Sequence, residues 1–144
     1  MNWPAARTIQ RSARLSTHLT TTCATGQITI PDIGTFTANP DGSSLLYKAD
    51  RNGNVLWAVQ IEPTGPGATS FVVDAKLDAE GKSVWIGGAF RGTVTLPGLP
   101  PLVGYPNYYT SYVIKFDTAT GAAVGAMRFY CTDRTGGSAY IRLS

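Results

Sequence analysis

Self-similarity at a fixed period constrains this chain more than any other feature, because a period longer than a hairpin means stacked copies of one supersecondary unit. GQITIPDI at residues 26–33 lies over GTVTLPGL at residues 92–99: Gly, Thr and Pro coincide, three aliphatics face aliphatics, and the offset is 66. Further on, SLLYKAD ending at Asp50 aligns with SYVIKFD ending at Asp117, which puts Ser44 over Ser111 and Lys48 over Lys115 at an offset of 67. Gly53 then meets Gly121 at 68. Three matched patches in one order, drifting only by single-residue insertions, set chance similarity aside.

Between the patches, alternation of apolar and polar residues predicts strands. NVLWAVQI places Val55, Trp57, Val59 and Ile61 on one face, and SFVVDAKL does the same for Phe71, Val73, Ala75 and Leu77. KSVWIGGAF at residues 82–90 is apolar on both sides, as an inner strand covered by neighbouring sheets would be. Residues 50–53, 78–81 and 117–121 separate such runs, with Asp placed to cap a turn and Gly to take the positive φ that closes a hairpin. Helix-forming runs are scarce, while 16 Gly and 9 Pro punctuate the chain. About four strands fill each period, which fits one blade of a β-propeller. THLTTTCAT at residues 17–25 falls one period before 84–91 and reads as a degraded copy of that inner strand. SAYIRLS at residues 138–144 resembles the start of SFVVDAKL. The expected fold is all-β: a partial β-propeller of about two four-stranded antiparallel blades over residues 17–144, with repeat units at 26–91 and 92–144.

Charge narrows the partners. The formal net charge of +3 comes from Arg7, Arg11 and Arg14, which precede the first acid, Asp32; from there on the chain carries nine basic and nine acidic side chains. Those nine cations are scattered singly, so no basic cluster exists to displace counterions, and nucleic acid is not an expected partner. Hydrophobic content of 43% supports a packed core, and no window is apolar enough to cross a bilayer. The first 16 residues, rich in Arg, Ser and Thr and free of acid, form either a targeting-like segment of organelle transit composition or a disordered start. They contain no continuous apolar run of the secretory kind. Cys23 and Cys131 are too far apart for a C-x-x-C motif; two small buried hydrophobes are the preferred reading over a bridge.

The residues also resemble a known family, the bacterial-type β-propeller repeat often labelled SBBP. Its segments are matched by Gly88-Ala89-Phe90-Arg91-Gly92-Thr93, by Val113-Ile114-Lys115-Phe116-Asp117, by Gly53-Asn54-Val55-Leu56-Trp57 and by Val84-Trp85-Ile86-Gly87. The second unit departs from the pattern, with Gly125 where the first has Trp57. The resemblance covers residues 26–130 and implies a propeller scaffold, frequent in large secreted or cell-surface proteins, with no common catalytic residues. Two blades leave two apolar faces open, so the expectation is a fragment of a larger propeller or a ring completed by self-association.

One loop stands out as a binding candidate. YPNYYTSY at residues 105–112 offers Tyr105, Asn107, Tyr108 and Tyr109: flat amphipathic rings with few rotors beside an adaptable amide, a mixture suited to recognition of protein or stacking on a sugar. The matching loop of the first unit carries Ala38, Pro40, Asp41 and Gly42 instead, so the fold does not demand tyrosines there. Tyr112, inside a strand, is expected in the core. The turn at Asp50 lacks the bidentate acid of a calcium loop, since the twelfth position is Ile61, and a hairpin explains it. His18 is the lone histidine, no acid and base pair can be nominated, and no residue set implies a cofactor or a metal. A non-enzymatic propeller binding or scaffold module is therefore the leading expectation. Its alternative is a set of blades from a quinoprotein-like oxidoreductase with its active site in other blades, since quinoprotein repeats share the G-x-x-L-W ending.

Overall fold

The computed structural model describes residues 7–9, 17–24 and 26–129. In chain order the strands are β1 (Arg7–Ile9), β2 (Thr17–Ala24), β3 (Gln27–Ile30), β4 (Gly34–Thr37), β5 (Ser43–Asp50), β6 (Val55–Ile61), β7 (Pro63–Leu77), β8 (Ser83–Val94), β9 (Leu102–Val103), β10 (Thr110–Asp117) and β11 (Ala123–Phe129). Among the described residues there is no helix, hence none long and apolar enough to cross a membrane. The chain is all-β and its pairings are antiparallel. One sheet runs β1-β2-β5-β6 and the other β11-β10-β8-β7, with β9 added on β8; neither closes on itself. The hairpin of β3 and β4 forms a small sheet of its own within the β2–β5 connection. The result is two open four-stranded meanders, an arrangement consistent with a partial propeller.

The sequence repeat is also a repeat of hydrogen-bond register. Ser44 pairs with Ile61 and Lys48 with Trp57, and one period later Ser111 pairs with Phe129 and Lys115 with Gly125. Even the ladder irregularity recurs, between Lys48 and Ala49 in one sheet and between Lys115 and Phe116 in the other. β2 pairs with β5 as β8 pairs with β10: Cys23 opposes Ser44, and Ala89 opposes Ser111. The stretch at 17–24 thus occupies the place of 83–90. Sheets and sequence units are out of phase, because each sheet opens with its first strand while the similarity at 26–33 begins just after β2 and that at 92–99 begins in the last residues of β8.

The core lies between the two stacked sheets. Leu46, Trp57 and Ile61 from one meet Val84, Ile86, Phe90, Tyr112, Ile114 and Phe116 from the other. Full burial of each such side chain contributes about 1.5–3 kcal/mol relative to exposure. Polar bonds tie the sheets at both ends. The Trp57 Nε1–H donates to the Thr118 carbonyl (3.0 Å) and the Lys48 ammonium donates to the same oxygen (2.8 Å). At the opposite end Ser70 Oγ accepts from the Ser44 N–H (3.1 Å) and donates to the Ile61 carbonyl (2.6 Å).

Three hairpins close as their sequences predict. Gly53, Gly81 and Gly121 take φ of 87°, 72° and 76°. Asp50 Oδ1 accepts from the N–H groups of Asn52 and Asn54, Asp78 Oδ1 from Lys82, and Asp117 Oδ1 from Ala119 and Thr120. Two strand expectations are corrected. β7 does not keep Phe71, Val73, Ala75 and Leu77 on one face: the register slips between Val72 and Asp74, so Val72, Ala75 and Leu77 pack on the core while Phe71 meets Tyr109 on the far face. A bulge inserts one residue and swaps the faces on either side of it. β8 is interior to its sheet, between β7 and β10, but only one of its faces is fully covered, and Trp85 is exposed. The state of Cys131, the side chains of Cys23 and His18, and most of the targeting-like segment lie outside the described residues.

Candidate functional site

β8 and β10 are joined by a long connection that the strand ends hold in place. Leu96 is buried beneath it, the Leu99 N–H donates to the Leu96 carbonyl (3.2 Å), and β9 returns along β8 through Val103 opposite Thr93. Gly104 then bonds back to the Gly92 carbonyl (2.8 Å); a side chain at Gly104 would strike the Phe90 ring, so the chain passes close over the core there. Beyond Gly104 the backbone turns outward. Tyr105, Asn107, Tyr108 and Tyr109 are all exposed, and the Tyr105 N–H is fixed on Thr110 Oγ1 (3.3 Å). Tyr112, two residues into β10, is fully buried as expected, its hydroxyl donating to the Phe71 carbonyl (3.3 Å).

Tyr109 is the member of the loop that the sheet anchors. Its ring meets Phe71 edge-on, with centroids 5.2 Å apart, and the Arg91 guanidinium stands 4.8 Å over its centroid. Pairing explains this grouping: Thr110 opposes Phe90, which places Tyr109 beside Arg91, and Thr69 on β7 opposes Arg91 from the other side, two residues before Phe71. Arg91 Nε is buried and has no hydrogen-bond partner, and among the described residues no carboxylate pairs with this guanidinium. A cation over an aromatic face gains about 0.5–2 kcal/mol, yet its donors still seek acceptors. Arg91 and Phe71 were not visible as site residues in the sequence. The signal was the cross-strand register, which needs the length of the β8–β10 connection before Arg91 can be set beside Tyr109.

No protein-family model, no curated protein and no solved structure matches the chain.

The second unit's loop and the first unit's hairpin leave from the same end of the two sheets, because β6 hands over to β7 there and β8 ends where β7 begins. Gln60 Nε2 donates to the Thr37 carbonyl (2.7 Å), tying that hairpin to β6. Both hairpin strands are largely exposed, and Thr29 bonds Thr35 across them (3.0 Å). Asp50, Asp78 and Asp117 sit at the opposite end of the sheets and are engaged in turns. The Asn54 amide and the N–H groups of Asn54, Asn52 and Gly53 hold Asp50 below the usual carboxylate range. Burial raises Asp78, but the N–H groups of Ser83, Lys82 and Gly81 outweigh it and lower the pKa. Thr120 and Ala119 N–H groups lower Asp117. Such carboxylates stay ionised at neutral pH and are poor proton donors. Among the described residues no cluster of three His, Cys, Asp or Glu side chains is placed to hold a metal ion.

Proposed function

We propose that this chain is part of a non-enzymatic β-propeller module of the SBBP-like kind, and that it captures a protein or glycan through the blade-end loop carrying Tyr105, Asn107, Tyr108 and Tyr109. The observation that carries the reading is the exposure of these rings at one end of the sheets, with Tyr109 braced by Phe71 and capped by Arg91. Rigid rings with little rotamer entropy to lose suit a contact surface. Arg91 adds a donor for an acidic group, so a carboxylate on a protein or an acidic sugar is the preferred ligand feature. The propeller part of the reading is supported by two antiparallel meanders of recurring register stacked on a shared apolar core.

The test is a triple substitution, Tyr105→Ala, Tyr108→Ala and Tyr109→Ala, screened against neutral and acidic glycans and candidate surface proteins alongside the unaltered chain. The expected result is loss of capture with the far-ultraviolet spectrum and thermal midpoint retained. Loss of the fold would assign the rings to structure and end the binding role. Capture that survives all three substitutions would do the same.

A further inference from the structure

The hairpin of β3 and β4 is the register counterpart of the pairing that β9 makes with the end of β8. Gln27 opposes Thr37 and Ile28 opposes Phe36; at the offset of 66, Thr93 opposes Val103 and Val94 opposes Leu102. The glycine that opens each pairing takes the same conformation, Gly26 with φ 91° and Gly92 with φ 94°. Their carbonyls are met alike: the Ala38 N–H donates to that of Gly26 (2.7 Å) and the Gly104 N–H to that of Gly92 (2.8 Å). Even the outer strand is tied in the same way, with the Gln60 amide donating to the Thr37 carbonyl and the Arg128 guanidinium to the Val103 carbonyl.

On the other side of the pairing the two units differ. In the second unit a third strand lies there, the start of β7, with Pro63 opposite Val94 and Thr64 opposite Thr93. It packs so close that a Cβ on Gly92 would strike the Thr64 carbonyl oxygen and come within 3.1 Å of the Ala68 methyl. In the first unit no strand among the described residues pairs with that side of β3, and a Cβ on Gly26 would meet nothing within 4 Å. Gly26 keeps the backbone of a glycine shaped for close approach, with nothing approaching it. Burial differs accordingly: Val94, Leu96 and Leu102 are buried, whereas their counterparts Ile28, Ile30 and Phe36 are half-buried. Two strands alone make a marginal sheet, and an unpaired edge is a template for another strand.

We propose that the free edge of β3 takes up an extended strand of another protein, one with the proline, β-branched, glycine pattern of Pro63, Thr64 and Gly65, by β-strand addition. The added strand runs antiparallel to β3, its proline opposite Ile28 and the next residue opposite Gln27, with a carbonyl against Gly26. This chain's single segment of that pattern, at 63–65, is already engaged on β8, so the occupant is not a second copy. The inference rests on the hairpin and not on the tyrosine loop, so either can fail alone.

Nuclear magnetic resonance on the full chain tests it, with a synthetic peptide copying residues 60–66 as the probe. Titration into the millimolar range is expected to shift the amides of residues 27–30 and slow their hydrogen exchange, leaving the tyrosine loop and β11 unmoved, while a scrambled peptide shifts nothing. Gly26→Asn is expected to keep the fold, because asparagine tolerates a left-handed backbone and the new side chain enters open space. It should weaken the peptide by about tenfold or more, since its Cβ stands where the strand's carbonyl must come. No shift in the unaltered chain would overturn the proposal without any variant. An equal response to the scrambled peptide, shifts that fall on another edge, or full affinity in the Gly26→Asn chain would overturn it too. Amides of β3 that are protected in the free chain and released on dilution would give the edge to a second copy and end the proposal.

Discussion

A Cβ on Gly88 would collide with the Phe71 carbonyl oxygen and come within 2.6 Å of the Tyr112 hydroxyl, which crosses the strand at that point. Phe71 is the residue before Val72, where β7 slips register, so the missing side chain, the buried tyrosine and the bulge form one packing solution. Gly88→Ala is expected to cost about 2 kcal/mol or more, since backbone cannot retreat from an overpacked site, and urea unfolding will read it. A midpoint within error of the parent would show that the crossing is looser than the structure has it. The turn aspartates make a second prediction at this scale. Their pKa values are lowered in the fold, so their contribution is complete above the unfolded carboxylate value near about 4 and is lost as pH falls through the folded values. Stability should be level from neutrality to about pH 5 and decline below about pH 4; Asp117→Asn should flatten that decline. The aspartates and their glycines were readable as turns from sequence. Arg91 as the partner of Tyr109 was not, because nothing local links residues eighteen apart until β8 and β10 are paired.

At the scale of elements, serine does what a simple apolar pattern would leave undone. Ser70 Oγ is buried and holds one donor and one acceptor from two different strands. Ser70→Ala leaves the Ile61 carbonyl and Ser44 N–H without that bridge, at an expected cost of about 1–3 kcal/mol, measurable as a lowered urea midpoint with an unchanged slope. Ser70→Thr, which keeps the hydroxyl, should recover part of the loss. The strand β6 was legible by alternation: Trp57 and Ile61 are buried and Leu56 is exposed, as a half-buried strand requires. β7 was misread because alternation assumes a period of two throughout, and one extra residue near Val73 transposes every side chain beyond it.

Across the whole molecule the two sheets are joined by a polar rivet at one end and a serine latch at the other, with the apolar core between. The Thr118 carbonyl takes bonds from both Trp57 and Lys48, and its N–H donates to the Lys82 carbonyl (2.9 Å), so one turn links both sheets and two hairpins. Trp57→Phe keeps most of the ring burial but removes the indole donor; a loss of about 1–2 kcal/mol is expected, with both sheets melting in one transition by circular dichroism and tryptophan fluorescence. Separate transitions would mean that the sheets are independent units. By itself the sequence determined the strand-and-turn composition, the positions of the tight hairpins and the period, because each depends on residues within one turn or one strand of each other. The ladder register recurs with that period, since equal spacings between equal turns pair equal positions. Which face of each strand is buried and how Arg91 comes over Tyr109 were decided only when the sheets stacked, because burial belongs to contacts between residues far apart along the chain.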